Sequence, residues 1–206
     1  GVFAYVADGL LQPGEEAPAH QPQLLPGQVK LKNINGDDKL NEEDMVLIGR
    51  NDPKFIFGFN NNFSYKNFDL NIYMYGQVGK IAGANSYYDA WGSYGNRIKL
   101  GQNVPVSFKD AWSSDNQTST RPSFIESAYG TGDLFLQKIS FLRIRNITLG
   151  YTVPISKSIC NRLRVYADIN NPCVWTNWKG QDPETDSNTN AYPNVTSFSI
   201  GVDISF

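Results

Sequence analysis

Apolar and polar residues alternate along the last ten positions of this 206-residue chain. Phe198, Ile200, Val202, Ile204 and Phe206 share one parity, and Ser197, Ser199, Gly201, Asp203 and Ser205 share the other. Successive side chains of a strand point to opposite faces, so this pattern predicts one apolar and one polar face. The same period recurs over Lys54 to Tyr65, where Phe55, Phe57, Phe59, Phe63 and Tyr65 oppose Gly58, Asn60, Asn62 and Ser64. Lys66 and Asn67 then make a two-residue connection, with Asn suited to positive φ. Phe68, Leu70, Ile72 and Met74 resume the apolar parity against Asp69, Asn71, Tyr73 and Tyr75, which predicts a tight hairpin.

A longer strand is expected over Leu134 to Val153, with an irregularity built in. Leu142 and Ile144 lie on one parity, whereas Ile147, Leu149, Tyr151 and Val153 lie on the other, and a bulge near Arg145 or Asn146 reconciles them. After Pro154 a short connection through Asn161 leads to Leu163, Val165, Ala167 and Ile169, alternating with Arg164, Tyr166, Asp168 and Asn170. The expected strands are 54–65, 68–78, 134–153, 163–178 and 195–206. Short turns at Lys66 and at 154–161 fall at one end of them. Long connections (1–53, 79–133 and 179–194) fall at the other, which is the layout of outer-membrane barrels. A soluble sandwich can use such strands too, with the apolar parity covered by a second sheet.

Composition agrees with an all-β reading. Aromatic residues make up 13% of the chain and Gly accounts for 18 positions against only two Met, which favours strands and turns over helix bundles. No apolar run approaches the ~18 residues of a helical membrane span. The net charge of −2, with 18 scattered Lys and Arg, offers no basic field, so nucleic acid is not an expected partner. Five strands cannot close a transmembrane barrel, because an open edge leaves backbone groups unpaired in hydrocarbon. The chain opens at Gly1 without a signal-like segment, and it is expected to be a fragment, the C-terminal part of a longer chain, rather than one of several associating copies.

Four blocks carry a family resemblance: LLPGQVKLKNINGDDKLNEEDMVLIGRNDPKFIFGFNNNFSYKNFDLNIYMYGQVG, SFLRIRNITLGYTVP, RVYADINNPCVWTNWKGQDPETDS and YPNVTSFSIGVDISF. In order and spacing they resemble the C-terminal portion of SusC/RagA-type TonB-linked outer-membrane transporters, over about residues 25–80 and 135–206. The resemblance implies an all-β fold, the last five antiparallel strands of a 22-stranded transmembrane β-barrel with long extracellular loops and short periplasmic turns. It also implies import of oligosaccharides or peptides, a SusD-type surface lipoprotein as partner, and energy from TonB through a plug and N-terminal barrel that lie outside these residues. Phe198, Ile200, Val202, Ile204 and Phe206 then match the pattern of an assembly signal read by the outer-membrane insertion machinery.

Asn33 to Asp44 is the metal-like constellation. Against a twelve-residue calcium loop, Asn33, Asn35, Asp37, Lys39 (through its carbonyl), Asn41 and Asp44 take the ligand positions, although Asn33 is neutral and Asp38 stands where Gly is preferred. The competing expectation is an acidic turn in which Asn41 N-caps a short helical segment beginning with Glu42, Glu43 and Asp44. Bound Ca²⁺ would be structural.

Tyr87, Tyr88, Asp89, Trp91 and Trp112 in the long connection are candidates for ligand contact, or for loop packing or lipoprotein contact. Trp175 and Trp178 suit a membrane interface. Arg143, Arg145, Arg164, Asp168 and Asn170 are candidate lumen residues, provided that the strand parity holds. His20 lacks a nucleophile motif and reads as a loop residue, so no enzymatic activity is expected. Cys160 and Cys173 flank a strand too long for a disulfide. The alternative function is a soluble β-rich glycan-binding module; a calcium-stiffened structural domain is a third reading.

Overall fold

The alternation in the second half of the chain becomes five long strands. The structure is a computed structural model that describes residues 1–83, 100–101, 103–104, 106–124, 130–155, 160–180, 182–185 and 191–206. Strands β5 (Phe55–Tyr65), β6 (Phe68–Gly83), β7 (Leu136–Val153), β8 (Arg162–Thr176) and β9 (Ser197–Ser205) form one sheet in sequence order. β5 pairs antiparallel with β6 from Phe55↔Val78 to Tyr65↔Phe68 without a break. The turn is left-handed at Lys66, with φ 54°, rather than at Asn67. Asn67 already pairs with the next strand, its carbonyl accepting from Thr152 N at 2.8 Å.

The β7–β8 ladder is irregular where the sequence predicts a bulge near Arg145 or Asn146, but the additional residue lies on the partner strand and not on β7. Between Ile144↔Cys173 and Asn146↔Asn170 the register advances two residues on β7 and three on β8. The extra residue therefore belongs to β8, at Asn171–Pro172, and Asn171 adopts φ 50°. Arg145 on β7 thus stands opposite two residues of β8. β8 and β9 then run in regular register from Arg162↔Ser205 to Asn170↔Ser197.

The first 53 residues, expected as loop, hold four short strands. β1 (Val2–Ala4) pairs with β4 (Val46–Gly49), and β2 (Ala7–Leu10) pairs with β3 (Val29–Leu31). By contacts the chain forms two units, one of residues 1–51, 81–137 and 186–189 and the other of 52–80, 138–185 and 190–206. In the first, Leu10, Val29, Leu31 and Trp112 make a buried cluster with Tyr5, Ala7 and Leu40 against it. Phe108 and Ala111 make a second cluster, in which Phe108 stacks on Phe124 with centroids 5.4 Å apart. Buried Gln21 satisfies β3 from the side, its Oε1 accepting from Leu31 N at 2.7 Å, and His20 Nε2 bonds the Leu31 carbonyl at 2.8 Å. Cys160 and Cys173 are both free thiols.

Gly27 sits at the centre of the first cluster with φ +85°, and a Cβ there would stand 2.2 Å from the Trp112 ring. Gly27→Ala combines a left-handed backbone with overpacking, a loss of about 2 kcal/mol or more. Hydrogen exchange across residues 10–31 is expected to accelerate in this variant; unchanged protection would show that the cluster tolerates the methyl.

Candidate functional site: the two faces of the sheet

One face of the sheet is an apolar surface that no described residue covers. Phe55, Phe59, Phe63 and Tyr65 of β5, Phe68 of β6, Leu149 of β7, Val165 of β8 and Phe198, Ile200, Val202 and Ile204 of β9 are all exposed, Ile200 by 84%. Phe206 follows β9 and is also exposed. Phe68 packs against Tyr151 at 4.7 Å, so the surface continues across the β6–β7 pair. A soluble domain rarely leaves so many large apolar side chains contiguous in water. Hydrocarbon is the medium in which this face has no hydration cost.

The opposite face is hydrogen-bonded from strand to strand. Asn71 Nδ2 donates to Asn60 Oδ1 at 2.7 Å and to Asn62 Oδ1 at 2.6 Å. Asp168 receives Thr148 Oγ1 at 2.7 Å, Asn170 Nδ2 at 2.6 Å, and Asn146 Nδ2. Arg164 reaches across β7 to Asp69 on β6, donating Nε to Oδ1 at 2.9 Å and Nη2 to Oδ2 at 2.6 Å. Its Nη1 donates to Asp203 on β9 at 3.0 Å. Bidentate guanidinium–carboxylate bonds of this kind carry geometric specificity as well as energy.

This crossing depends on Gly150, which lies under the guanidinium. A Cβ at Gly150 would stand 2.4 Å from Arg164 Nη2 and 2.5 Å from Asp69 Oδ1.

Arg143 and Arg145 join this polar face beside the irregular step in the β7–β8 register. Arg143, 2% exposed, donates Nη2 to Asp182 Oδ1 at 2.7 Å, and its Nε lies 3.0 Å from Glu184 Oε2. Arg145 Nη1 donates to Asn194 Oδ1 at 3.2 Å and to Glu184 Oε2 and Asn171 Oδ1 at 3.3 Å, and its guanidinium lies over the Tyr75 ring at 5.7 Å. The five residues expected to face a lumen thus share one face of the sheet. Asp69, Asp182 and Glu184, which complete their networks, were not identified from the sequence. Their partners lie 95, 39 and 39 residues away, so no local period links them.

The other sequence candidates divide. Tyr87, Tyr88, Asp89 and Trp91 lie outside the described residues. Trp112 is buried in the first cluster and donates Nε1 to Gln12 Oε1 at 3.3 Å, so its ring is committed to packing. Trp175 is exposed, as a membrane-interface ring would be, whereas Trp178 is buried.

In the 33–44 loop, side-chain oxygens turn back onto the loop's own backbone. Asn33 Oδ1 accepts from Gly36 N at 2.7 Å, Asn35 Oδ1 from Asp37 N at 3.0 Å, and Asp37 Oδ1 from Lys39 N at 2.9 Å. Asn41 caps the turn Glu42–Asp44 in a capping box. Asp44 is fully buried, its Oδ1 accepting from Ile34 N at 2.7 Å and Asn35 N at 3.4 Å and its Oδ2 from Asn41 N at 3.0 Å. Among the described residues, no three His, Cys, Asp or Glu side chains converge as a metal site. With both oxygens engaged, Asp44 ties the two ends of the loop together.

The Asn41 N–H, joined by those of Ile34 and Asn35, outweighs the burial that would raise the Asp44 pKa and holds this carboxyl below its ordinary value. Its contribution to stability is therefore complete above the ordinary carboxylate value of about 4 and is lost as pH falls through the depressed folded value. Amide exchange at Ile34, Asn35 and Asn41 is expected to accelerate in that acid range. Asp44→Asn should produce the faster exchange already at pH 7, while swapping calcium for chelator leaves it unchanged. On the sheet, Gly150→Ala should cost about 1–3 kcal/mol by displacing the Arg164 guanidinium. Adding Arg164→Ala to it should lower the melting temperature little further; fully additive losses would mean that the crossing does not depend on Gly150.

No protein-family model matches the chain. TonB-dependent receptor P3 of Formosa agariphila is 28% identical over 88% of this chain and 19% of its own length. TonB-dependent receptor SusC of Bacteroides thetaiotaomicron is 26% identical over 84% of this chain and 17% of its own. The chain thus spans about a fifth of the length of the curated relatives it matches. Among solved structures, the RagAB peptide transporter superposes with a TM-score of 0.74 at 21% identity, over 99% of this chain and 22% of that chain. The RagAB peptide importer in its open-open state gives 0.70 over the same shares. The five-stranded antiparallel sheet matches part of the barrel of those structures, and the chain resembles the C-terminal portion of SusC/RagA-type TonB-dependent receptors.

Proposed function

We propose that these residues form part of the barrel wall of a TonB-dependent importer in the outer membrane of a Gram-negative bacterium. The observation that carries this reading is the two-faced sheet, with an uncovered apolar surface on one side and linked amides, carboxylates and guanidinia on the other. A sheet of this kind separates lipid from an aqueous passage. The alternative, a soluble glycan-binding module, requires the apolar parity to pack against a second sheet, and no described residue covers it.

In this reading the polar face lines the path of a hydrogen-bonding solute, an oligosaccharide or a peptide. RagAB is a peptide importer, which favours peptide as the first ligand to try. A SusD-type lipoprotein caps the outer side, and TonB supplies energy through segments beyond these residues. The β9 stripe of Phe198, Ile200, Val202 and Ile204, with Phe206, serves as the signal for membrane insertion. The role is transport rather than catalysis.

Fractionation of cells followed by detection with an antibody against residues 191–206 tests the reading. The expected result is an outer-membrane band several times heavier than the 23.0 kDa of this chain. A stable species of 23.0 kDa that stays in solution without detergent would overturn it in favour of the soluble module.

A further inference from the structure

Asp182 joins three separate pieces of the chain. Its Oδ1 accepts from Arg143 Nη2 at 2.7 Å and from Glu184 N at 2.9 Å, and its Oδ2 accepts from Asn194 N at 2.9 Å. Asp182 is 3% exposed, and neighbouring Pro183 is also fully buried. Glu184 closes the arrangement by accepting from Asn194 Nδ2 and from Arg145, while its Oε2 lies 3.0 Å from Arg143 Nε. Asp182 is thereby tied to the Arg143 guanidinium and Asn194 to that of Arg145, both on β7, while Asp182 also accepts from Asn194 N.

A buried ion pair of this kind is a poor source of net stability, because desolvation offsets most of its attraction. The wall does not need it either. Around Arg143 the ladder with β8 is complete, with Phe141↔Thr176, Leu142↔Trp175 and Arg143↔Val174 all in register. What the pair supplies is a single fixed arrangement of the connection between β8 and β9.

We propose that Arg143 and Asp182 form a clamp that holds residues 182–185 and 194 against the polar face of β7, making this part of the connection a fixed feature of the ligand path rather than a moving lid. Only the assignment of that face to a ligand path rests on the importer reading; the clamp has its own test. Lys179, three residues before Asp182, is exposed and offers a trypsin site. Protease cleavage of a folded protein requires local opening of the chain around the scissile bond.

The experiment is limited trypsinolysis of the full-length polypeptide in detergent, following cleavage after Lys179 together with the shift in electrophoretic mobility between heated and unheated samples, which reports an intact barrel. Wild type should resist. Asp182→Ala and Arg143→Ala should each be cut faster by a factor of about ten or more with the mobility shift retained. The double variant should be cut no faster than Asp182→Ala alone, since both changes open the same clamp. Asp69→Ala, which breaks an ion pair elsewhere on the same face, should leave the Lys179 bond protected. Unchanged resistance in both single variants would overturn the proposal. So would loss of the mobility shift in the isosteric Asp182→Asn, because a clamp confined to the connection leaves the wall folded. A failure of the importer reading would appear separately, in the membrane fractionation of the unmodified protein.

Discussion

Every strand from β5 to β9 has to present two faces of opposite polarity with a repeat of two residues. The backbone solves its own part by pairing along an antiparallel ladder, interrupted between β7 and β8 at Arg145 and Asn171–Pro172. Side chains then have no freedom: whatever does not suit the apolar side must stand on the other. Phe59 and Ile200 are placed by that rule, and so are Asn71 and Asp168 on the reverse. A one-residue slip would exchange the two sets, which is why the register between β8 and β9 is regular over nine pairs.

Residues on the polar face are not simply solvated. Asp168 and Asp182 each accept from three side-chain or backbone donors, and Asp69 accepts two bonds from the Arg164 guanidinium. Arg164 ties β6, β8 and β9 into one lattice by passing over Gly150, so a missing side chain on β7 is as much a part of the network as the charges. Further along β7, Arg143 and Arg145 turn to the connection that follows β8. The same residue type therefore holds strand to strand at one level and strand to loop at another.

Arg143 and Arg145 join this face beside the irregular step in the β7–β8 ladder, where Arg145 stands opposite Asn171 and Pro172. The sequence asks for an irregularity here, because the apolar parity of β7 changes between Ile144 and Ile147, and it places the bulge on β7 near Arg145 or Asn146. The pairing puts the additional residue on β8 instead, with Asn171 at φ 50°. Periodicity along one strand carries no information about how many residues its partner places at that point.

How much could be read in advance follows from the range of the interactions. The long strands, the hairpin at Lys66 and the two faces were legible because a period of two over nine or more residues is a local property of the chain. β1 to β4 were not legible: strands of three or four residues show too little periodicity to separate from loop. Composition marks Trp112 and Trp178 as amphipathic rings but is silent about whether a neighbour covers them, and both are buried. Likewise the 33–44 spacing is compatible with a cation or with a self-bonded turn, and the fold directs Asp44 to the amides of Ile34, Asn35 and Asn41. Asp69 and Asp182 had no sequence signal at all, since their partners become neighbours only through strand order and the return of a connection. Patterning along one strand is written in adjacent residues, whereas pairing across strands depends on contacts that exist only after the chain has folded.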